Sequence, residues 1–262
     1  MPTNTSTNDR PGIVLFVHGA LADERVWQEH IGLFRGEQEA SAVTLRHFGV
    51  HGDRDQGEFG LNTHADDLAG ELARLAVHGP VHVVAWSYGA DVALNAVVRH
   101  PGRAASLLVY EPGYPGCLSE EEMHVFGRDA GAMFGPIFAL VGDGLIPQAV
   151  EALVDKSAGR MGYFAAQPEA VRNQQLENGH TLRRQLHQQE TPDLGVARLA
   201  EIDIPLTVAW GEDSRPLFRA VSVGVARAVP GARVHPVDRA NHMLPVESPR
   251  RFVDIVRQHL GA

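Results

Sequence analysis

Apolar residues along the chain form two kinds of pattern, and the two patterns alternate. Short continuous apolar runs are typical of parallel strands that are buried on both faces. Such runs predict strands at residues 13–17, 42–45, 81–86, 106–110, 204–210 and 232–237. Between several of them, apolar residues recur at helical spacing, as Leu68, Leu72 and Leu75 do. Strands that alternate with helices predict an α/β fold with a doubly wound, mostly parallel sheet.

The alternation is interrupted between residues 112 and 200, where no apolar run predicts a strand. Glycine, proline and glutamine punctuate short helical patterns there, and we interpret the segment as an α-helical insertion. The core of the fold is then expected from residues 13–111 and 201–262, preceded by a polar, flexible tail at residues 1–12. A capping-box signature at Thr63 predicts that the helix before the third strand starts there.

Composition restricts the class of protein. The chain has 262 residues, of which 44% are hydrophobic and 21% charged, as in ordinary soluble globular proteins. No run reaches transmembrane length, and the first dozen residues lack the apolar segment of a signal peptide, so we expect a cytoplasmic protein. The single cysteine, Cys117, excludes an internal disulfide.

Charge and histidine spacing restrict the possible partners. The net charge of −9 without a basic cluster argues against binding to nucleic acid or to anionic membranes, which leaves a small-molecule substrate. The 14 histidines show no metal-ligand spacing, so we expect neither a metal nor another cofactor. The sequence indicates nothing about the oligomeric state.

Ser87 stands where the third predicted strand ends and a helical pattern begins. A serine at such a corner lies on a tight turn, and the residues two before and two after it must be small, as Ala85 and Gly89 are. The turn would present the hydroxyl above the sheet and direct the backbone N–H of Tyr88, at the helix start, toward the group that the serine attacks. The alternative is a structural serine that caps the helix.

This arrangement resembles the nucleophile turn of the α/β-hydrolases, G-x-S-x-G, from which Ala85 departs at the first glycine. The resemblance implies the α/β-hydrolase fold, with the helical insertion as a lid over the serine. In that family an H-G-x segment after a strand that corresponds to residues 13–17 supplies a second N–H to the oxyanion hole. The resemblance assigns this N–H to Ala20. Without the serine turn downstream, His18-Gly19 would be interpreted as an ordinary turn.

A serine nucleophile needs a base, and the base needs an acid that fixes its tautomer. In α/β-hydrolases the chain order is serine, acid, histidine, with the histidine in the loop after the last strand. His242 occupies that position, and the alternative for it is a surface loop histidine. Relatives usually carry the acid in a G-x-x-D segment, but here that spacing falls on Ser214, with Asp213 one residue early.

The other position that the family uses for the acid is the end of the strand after the nucleophile helix, where Glu111 stands. The sequence leaves Glu111 and Asp213 both open. It predicts a serine hydrolase that cleaves an ester or a lactone through an acyl-enzyme. Alternatives are the same fold used for C–C bond hydrolysis, hydroxynitrile lysis or cofactor-free oxygenation, or a non-hydrolytic ligand-binding protein.

Overall fold

The computed structural model describes residues 12–52 and 57–261, and the predicted flexible tail lies outside these residues except for Gly12. The sheet has the strand order β2-β1-β3-β4-β5-β6, and each neighbouring pair is parallel. The predicted doubly wound α/β sheet is therefore confirmed. The strands are β1 (Ile13–Val17), β2 (Glu39–Val43), β3 (Val81–Trp86), β4 (Ser106–Tyr110), β5 (Leu206–Gly211) and β6 (Arg233–Val237).

Twelve α-helices connect or follow these strands in the described ranges. Those of the core are α1 (Gln28–Leu33), α2 (Leu61–Leu75), α3 (Tyr88–Arg99), α10 (Pro216–Ala228), α11 (Leu244–Glu247) and α12 (Pro249–Leu260). Those between β4 and β5 are α4 (Glu120–Gly142), α5 (Ile146–Ala158), α6 (Tyr163–Ala166), α7 (Glu169–Glu177), α8 (Leu182–Leu186) and α9 (Val196–Leu199). Residues 112–200 are all described and contain no strand, as the pattern predicts; their function as a lid stays a prediction.

Successive residues of each central strand face opposite sides of the sheet, so each strand contributes to two hydrophobic clusters. Val83 and Ala85 of β3 pack in the cluster on the side of α2 and α3, whereas Val84 and Trp86 pack in the other. The second cluster also contains residues of α4 and α5, such as Ile137 and Val150. Helices α4 and α5 are therefore continuous with the core on that face, whereas Leu199 of α9 packs in the first cluster.

The start of the chain's second strand differs from the prediction. The strand was expected at residues 42–45 but comprises Glu39–Val43. It pairs only with β1 and is partly exposed, so its apolar signal is weak. Leu45 lies beyond it and donates its backbone N–H to the ring of His18.

The start of α2 also differs, because a distant residue caps it. The helix begins at Leu61, not at the predicted Thr63 cap. The carboxylate of Glu190, in the segment between α8 and α9, accepts the N–H groups of Asn62 and Thr63 at 2.6 and 3.1 Å. An external anion thus satisfies the free donors of the first turn.

Six histidines are buried among the described residues, and we expect four of them, whose pKa burial lowers strongly, to make the protein acid-sensitive. Burial lowers the pKa of His18, His30 and His259 to about 4 and that of His64 to about 3. The unfolded chain takes up these protons near pH 6.5 and the folded chain does not, so stability falls as the pH drops from about 6.5 to 4. At its steepest, the contribution of the four histidines should be about 5 kcal/mol per pH unit, opposed by about 1 from Asp91, whose pKa burial raises to about 7; urea unfolding measures the sum.

A matched pair of variants tests this expectation. His30 packs among the rings of Phe16, Trp27 and Phe252, so His30→Phe should keep the packing and lower the histidine contribution to the acid slope by about one quarter. His124→Phe changes an exposed histidine and should leave the slope unchanged. Equal slopes for wild type and His30→Phe would contradict the assignment.

Among the described residues, no helix is both long enough and apolar enough to cross a membrane.

Candidate active site

Ser87 lies between the last residue of β3 and the first residue of α3. Its φ of 57° and ψ of −126° are unusual for a residue other than glycine. The backbone N–H of Ser87 donates to the carbonyl of Tyr110, which continues the pairing of β3 with β4, and its carbonyl accepts the N–H of Ala90. The strand and the helix therefore hold the strained residue from both sides.

Two glycines allow the segment after β1 to approach this turn. A Cβ atom at Gly89 would lie 2.3 Å from the carbonyl oxygen of His18, and one at Gly19 would lie 2.9 Å from the Cβ of Ser87. Neither position can hold a side chain without displacing backbone or the serine. Gly89, the small residue two places after the serine, is therefore required because its backbone packs against the segment that follows β1.

His242 is placed beside Ser87 by the loop that follows β6. Its Nε2 lies 3.0 Å from Ser87 Oγ, and its Nδ1 lies 2.7 Å from Glu111 Oε2. A carboxylate can only accept, so Nδ1 carries the proton and donates to Glu111, which leaves Nε2 free to accept from the serine hydroxyl. The side chain of His242 is 4% exposed.

The loop of His242 is held by the ends of two strands. Trp86 Nε1 donates to the carbonyl of His242 at 2.9 Å, and the hydroxyl of Tyr110 donates to the carbonyl of Asn241 at 2.7 Å. The imidazole also stacks on the ring of Phe218 in α10, with centroids 3.8 Å apart and planes inclined by 9°. These contacts fix the orientation of the ring.

Glu111, directly after β4, is fully buried but has hydrogen-bond partners for both oxygens. Oε2 accepts from His242, and Oε1 accepts the N–H of Gly211 at 2.7 Å and the hydroxyl of Ser214. Its φ of 52° marks a second strained turn at the carboxyl edge of the sheet. Such a set of donors offsets the cost of burying a carboxylate.

The structure does not bring the other candidate acid, Asp213, to the Nδ1 of His242, which Glu111 occupies. Asp213 is exposed, and its backbone N–H donates to the carbonyl of Ala240. In this turn the residue directed inward is Ser214, whose hydroxyl binds Glu111 instead of the imidazole. The position where the G-x-x-D spacing would place an aspartate therefore holds a serine that donates a hydrogen bond to Glu111.

His18 determines the direction of the peptide before Ala20. Its Nε2 accepts the N–H of Leu45 at 3.0 Å, so Nδ1 carries the proton and donates to the carbonyl of Gly19 at 2.8 Å. Burial lowers the pKa of His18 to about 4, which keeps the ring neutral. In a trans peptide the N–H points opposite to the carbonyl, so the Ala20 N–H points away from His18.

The other predicted oxyanion-hole donor is the backbone N–H of Tyr88. Tyr88 is the first residue of α3, where an N–H has no acceptor within the helix. Its phenol turns away to His64, whose Nδ1 lies 2.8 Å from the hydroxyl oxygen. Ala20 and Tyr88 line the same cavity as Ser87 and His242.

That cavity has a volume of about 310 Å³ and extends from Ser87 between the sheet and helices α4, α5, α7 and α8. Its wall is largely apolar and includes Trp86, Met133, Phe134, Leu153, Leu182 and Phe218. Gln175 and Gln185 provide polar groups, and their amide oxygens have no partner among the described residues. None of the described residues that line the cavity is arginine or lysine.

Two buried carboxylates near the cavity carry no sequence motif and were missed by the sequence analysis. Asp91 lines the cavity wall. Asp23 joins the segment after β1 to the helices between β4 and β5, because it accepts from Gln174 Nε2 at 2.9 Å and from Asn178 Nδ2 at 2.8 Å. Arg25 donates to both of its oxygens, and these bonds lower the pKa of Asp23 to about 2 against the effect of burial.

In the ranges 12–52 and 57–261, no three His, Cys, Asp or Glu side chains are grouped so that they could hold a metal ion. Cys117 is buried, and burial raises the pKa of its thiol to about 11. A thiol in that state is a poor nucleophile.

A family model and a protein of known sequence match most of the chain. The model of the Alpha/beta hydrolase family matches residues 14–255. A protein of Bacillus subtilis (strain 168) is 25% identical over 265 residues, which cover 94% of this chain and 89% of that protein. That relative is provisionally named 2-succinyl-6-hydroxy-2,4-cyclohexadiene-1-carboxylate synthase.

Solved structures share the fold at low sequence identity. A thermophilic esterase from Thermogutta terrifontis superposes with a TM-score of 0.71 at 22% identity, covering 97% of this chain and 90% of the esterase. Est816, described as an N-acyl homoserine lactone degrading enzyme, superposes with a TM-score of 0.67 at 20% identity, covering 96% and 94%.

Proposed function

Because the chain belongs to the alpha/beta hydrolase family, we propose that it hydrolyses carboxylic esters or lactones of small molecules through an acyl-enzyme on Ser87. An enzymatic role follows from that membership and from relatives named as esterase, lactone-degrading enzyme and synthase. The observation that supports the proposed chemistry is the hydrogen-bonded series Glu111, His242, Ser87 at one end of a largely apolar cavity.

In the proposed acylation step, Ser87 Oγ attacks the substrate carbonyl carbon while His242 Nε2 accepts the hydroxyl proton. The negative charge that forms on the carbonyl oxygen is stabilised by the N–H groups of Ala20 and Tyr88. The C–O bond to the leaving alkoxide then breaks, and the imidazolium gives its proton to that alkoxide. Glu111 stabilises the imidazolium and keeps the proton on Nδ1.

Deacylation reverses the roles with water as the nucleophile. His242 Nε2 accepts a proton from water, the hydroxide attacks the acyl carbon, and the proton returns to Ser87 Oγ as the carboxylic acid leaves. With a lactone substrate the leaving alkoxide stays attached to the acyl group, so one hydroxy acid is the only product. No cofactor takes part in the proposed reaction.

Covalent labelling with a fluorophosphonate tests the proposal, together with turnover of 4-nitrophenyl esters and of simple lactones. We expect one adduct per chain, located on Ser87 by peptide mass spectrometry, and hydrolysis of at least one substrate class. Ser157 is an internal control, because it lines the same cavity, whereas the imidazole of His242 is hydrogen-bonded to Ser87. An adduct on Ser157, or a folded protein that is neither labelled nor active, would refute the proposal.

A further inference from the structure

The carboxylate of Asp91 lies in the cavity wall one helical turn beyond the proposed nucleophile. Ser87 precedes α3 and Asp91 is four residues later, which places both on the same side of the helix. Both residues line the cavity, and Asp91 is only 6% exposed. A substrate bound at Ser87 would therefore occupy a cavity that this carboxylate also lines.

Backbone groups hold the Asp91 side chain in place. Its Oδ1 accepts the N–H of Gly113 and that of Tyr114, each at 3.0 Å, and its Oδ2 accepts the N–H of Gly113 at 3.1 Å. These two residues follow Glu111 closely in the chain and also line the cavity. The carboxylate cannot turn away from the cavity without losing these bonds.

No positive charge balances this carboxylate among the described residues. No arginine, lysine or histidine of ranges 12–52 and 57–261 forms an ion pair with Asp91. Burial raises the pKa of Asp91 to about 7, partly opposed by the two backbone N–H groups. At pH 8 most molecules therefore carry an uncompensated negative charge in a cavity whose described lining has no arginine or lysine.

We propose that Asp91 is a specificity-determining residue, which admits uncharged or cationic esters and lactones and excludes substrates that carry a carboxylate beside the scissile group. The proposal rests on the proposed hydrolase function and names its substrate class. Two negative charges in a poorly solvated cavity repel strongly, whereas a positive charge or a hydrogen-bond donor is attracted to the carboxylate. The name of the Bacillus subtilis relative contains a carboxylate compound. A molecule that carries such a carboxylate would be a poor substrate for this protein.

The test compares three 4-nitrophenyl esters at pH 8, with acyl chains of equal length that end in a methyl, a carboxylate or a trimethylammonium group. For the wild type, kcat/KM of the carboxylate ester should be about 100-fold below that of the methyl ester, and the trimethylammonium ester should carry no such penalty. Asp91→Asn keeps an oxygen for the Gly113 and Tyr114 bonds and removes the charge. In this variant, the ratio of kcat/KM for the methyl ester to kcat/KM for the carboxylate ester should be about tenfold smaller than in the wild type.

The ratio between two esters is measured because it cancels any general effect of the substitution on turnover. Asp203→Asn, which removes the same charge from an exposed position, should leave the ratio at the wild-type value. If Asp91→Asn does not fold, Asp91→Ser provides the uncharged variant. An unchanged ratio in a folded, uncharged variant would overturn the proposal.

A binding measurement separates this proposal from the hydrolase function. Methyl ketones with the same three terminal groups are titrated calorimetrically into Ser87→Ala and into Ser87→Ala/Asp91→Asn. The carboxylate ketone should bind about 100-fold more weakly than the methyl ketone only where Asp91 is present. This result would support the specificity even if no ester were hydrolysed, whereas equal discrimination by both variants, or no binding of any ketone, would overturn it.

Discussion

Replacement of Ser87 by alanine is expected to lower kcat for ester hydrolysis by about 10⁵- to 10⁶-fold, because the covalent route through the acyl-enzyme is lost. Residual catalysis would come from the oxyanion-hole N–H groups of Ala20 and Tyr88, which are backbone groups and remain. The substitution removes one hydrogen bond, that between Oγ and His242 Nε2. Folding and ligand binding should therefore be retained.

The comparison uses initial rates on a 4-nitrophenyl ester, with unfolding in urea and methyl ketone binding as controls. Ser157→Ala is the matched variant, because it removes a hydroxyl from the same cavity wall and should change kcat less than about tenfold. If Ser87→Ala retained a tenth or more of the wild-type rate while folded, Ser87 would not be the nucleophile.

Glu111→Gln is expected to lower kcat by about 10³- to 10⁴-fold, because it favours the tautomer of His242 that carries its proton on Nε2. The amide oxygen of glutamine can accept from Gly211 and Ser214 as the carboxylate does, which leaves the amide nitrogen facing Nδ1. That nitrogen is a donor, so Nδ1 loses its proton and Nε2 gains one. A protonated Nε2 cannot accept the proton of Ser87.

Asp213→Asn is the control for this prediction. Asp213 is exposed, so its substitution should change kcat less than about twofold. Rates for both variants are compared after unfolding curves have shown that each is folded. A larger loss of kcat for Asp213→Asn than for Glu111→Gln would reverse the assignment of the acid.

The order of the elements followed from the sequence because each is encoded by adjacent residues. Runs such as 13–17 and 106–110 coincide with β1 and β4, and the doubly wound fold is confirmed. The same local pattern predicted that Ser87 lies between a strand and a helix. The sequence also predicted the loop that carries His242, while the catalytic roles of both residues stay predictions.

The predicted bounds of α2 and β2 were wrong where a long-range contact overrides a local pattern. The capping signature at Thr63 is a local pattern, but Glu190 lies more than 120 residues away and caps α2 two residues earlier. The end of β2 at Val43 instead of residue 45 has a similar cause, since Leu45 uses its N–H to bind His18 rather than to extend the strand. A sequence pattern contains no information about such partners.

The sequence by itself determined the class of fold, the elements that carry Ser87 and His242, and a pair of candidate acids. The tertiary structure alone decided which carboxylate meets the imidazole, because Glu111 and His242 are 131 residues apart and only the packed sheet edge brings them together. It also revealed Asp91, a buried carboxylate without a cationic partner among the described residues. Burial and pairing depend on all the neighbours in space, whereas a sequence pattern depends on neighbours in the chain.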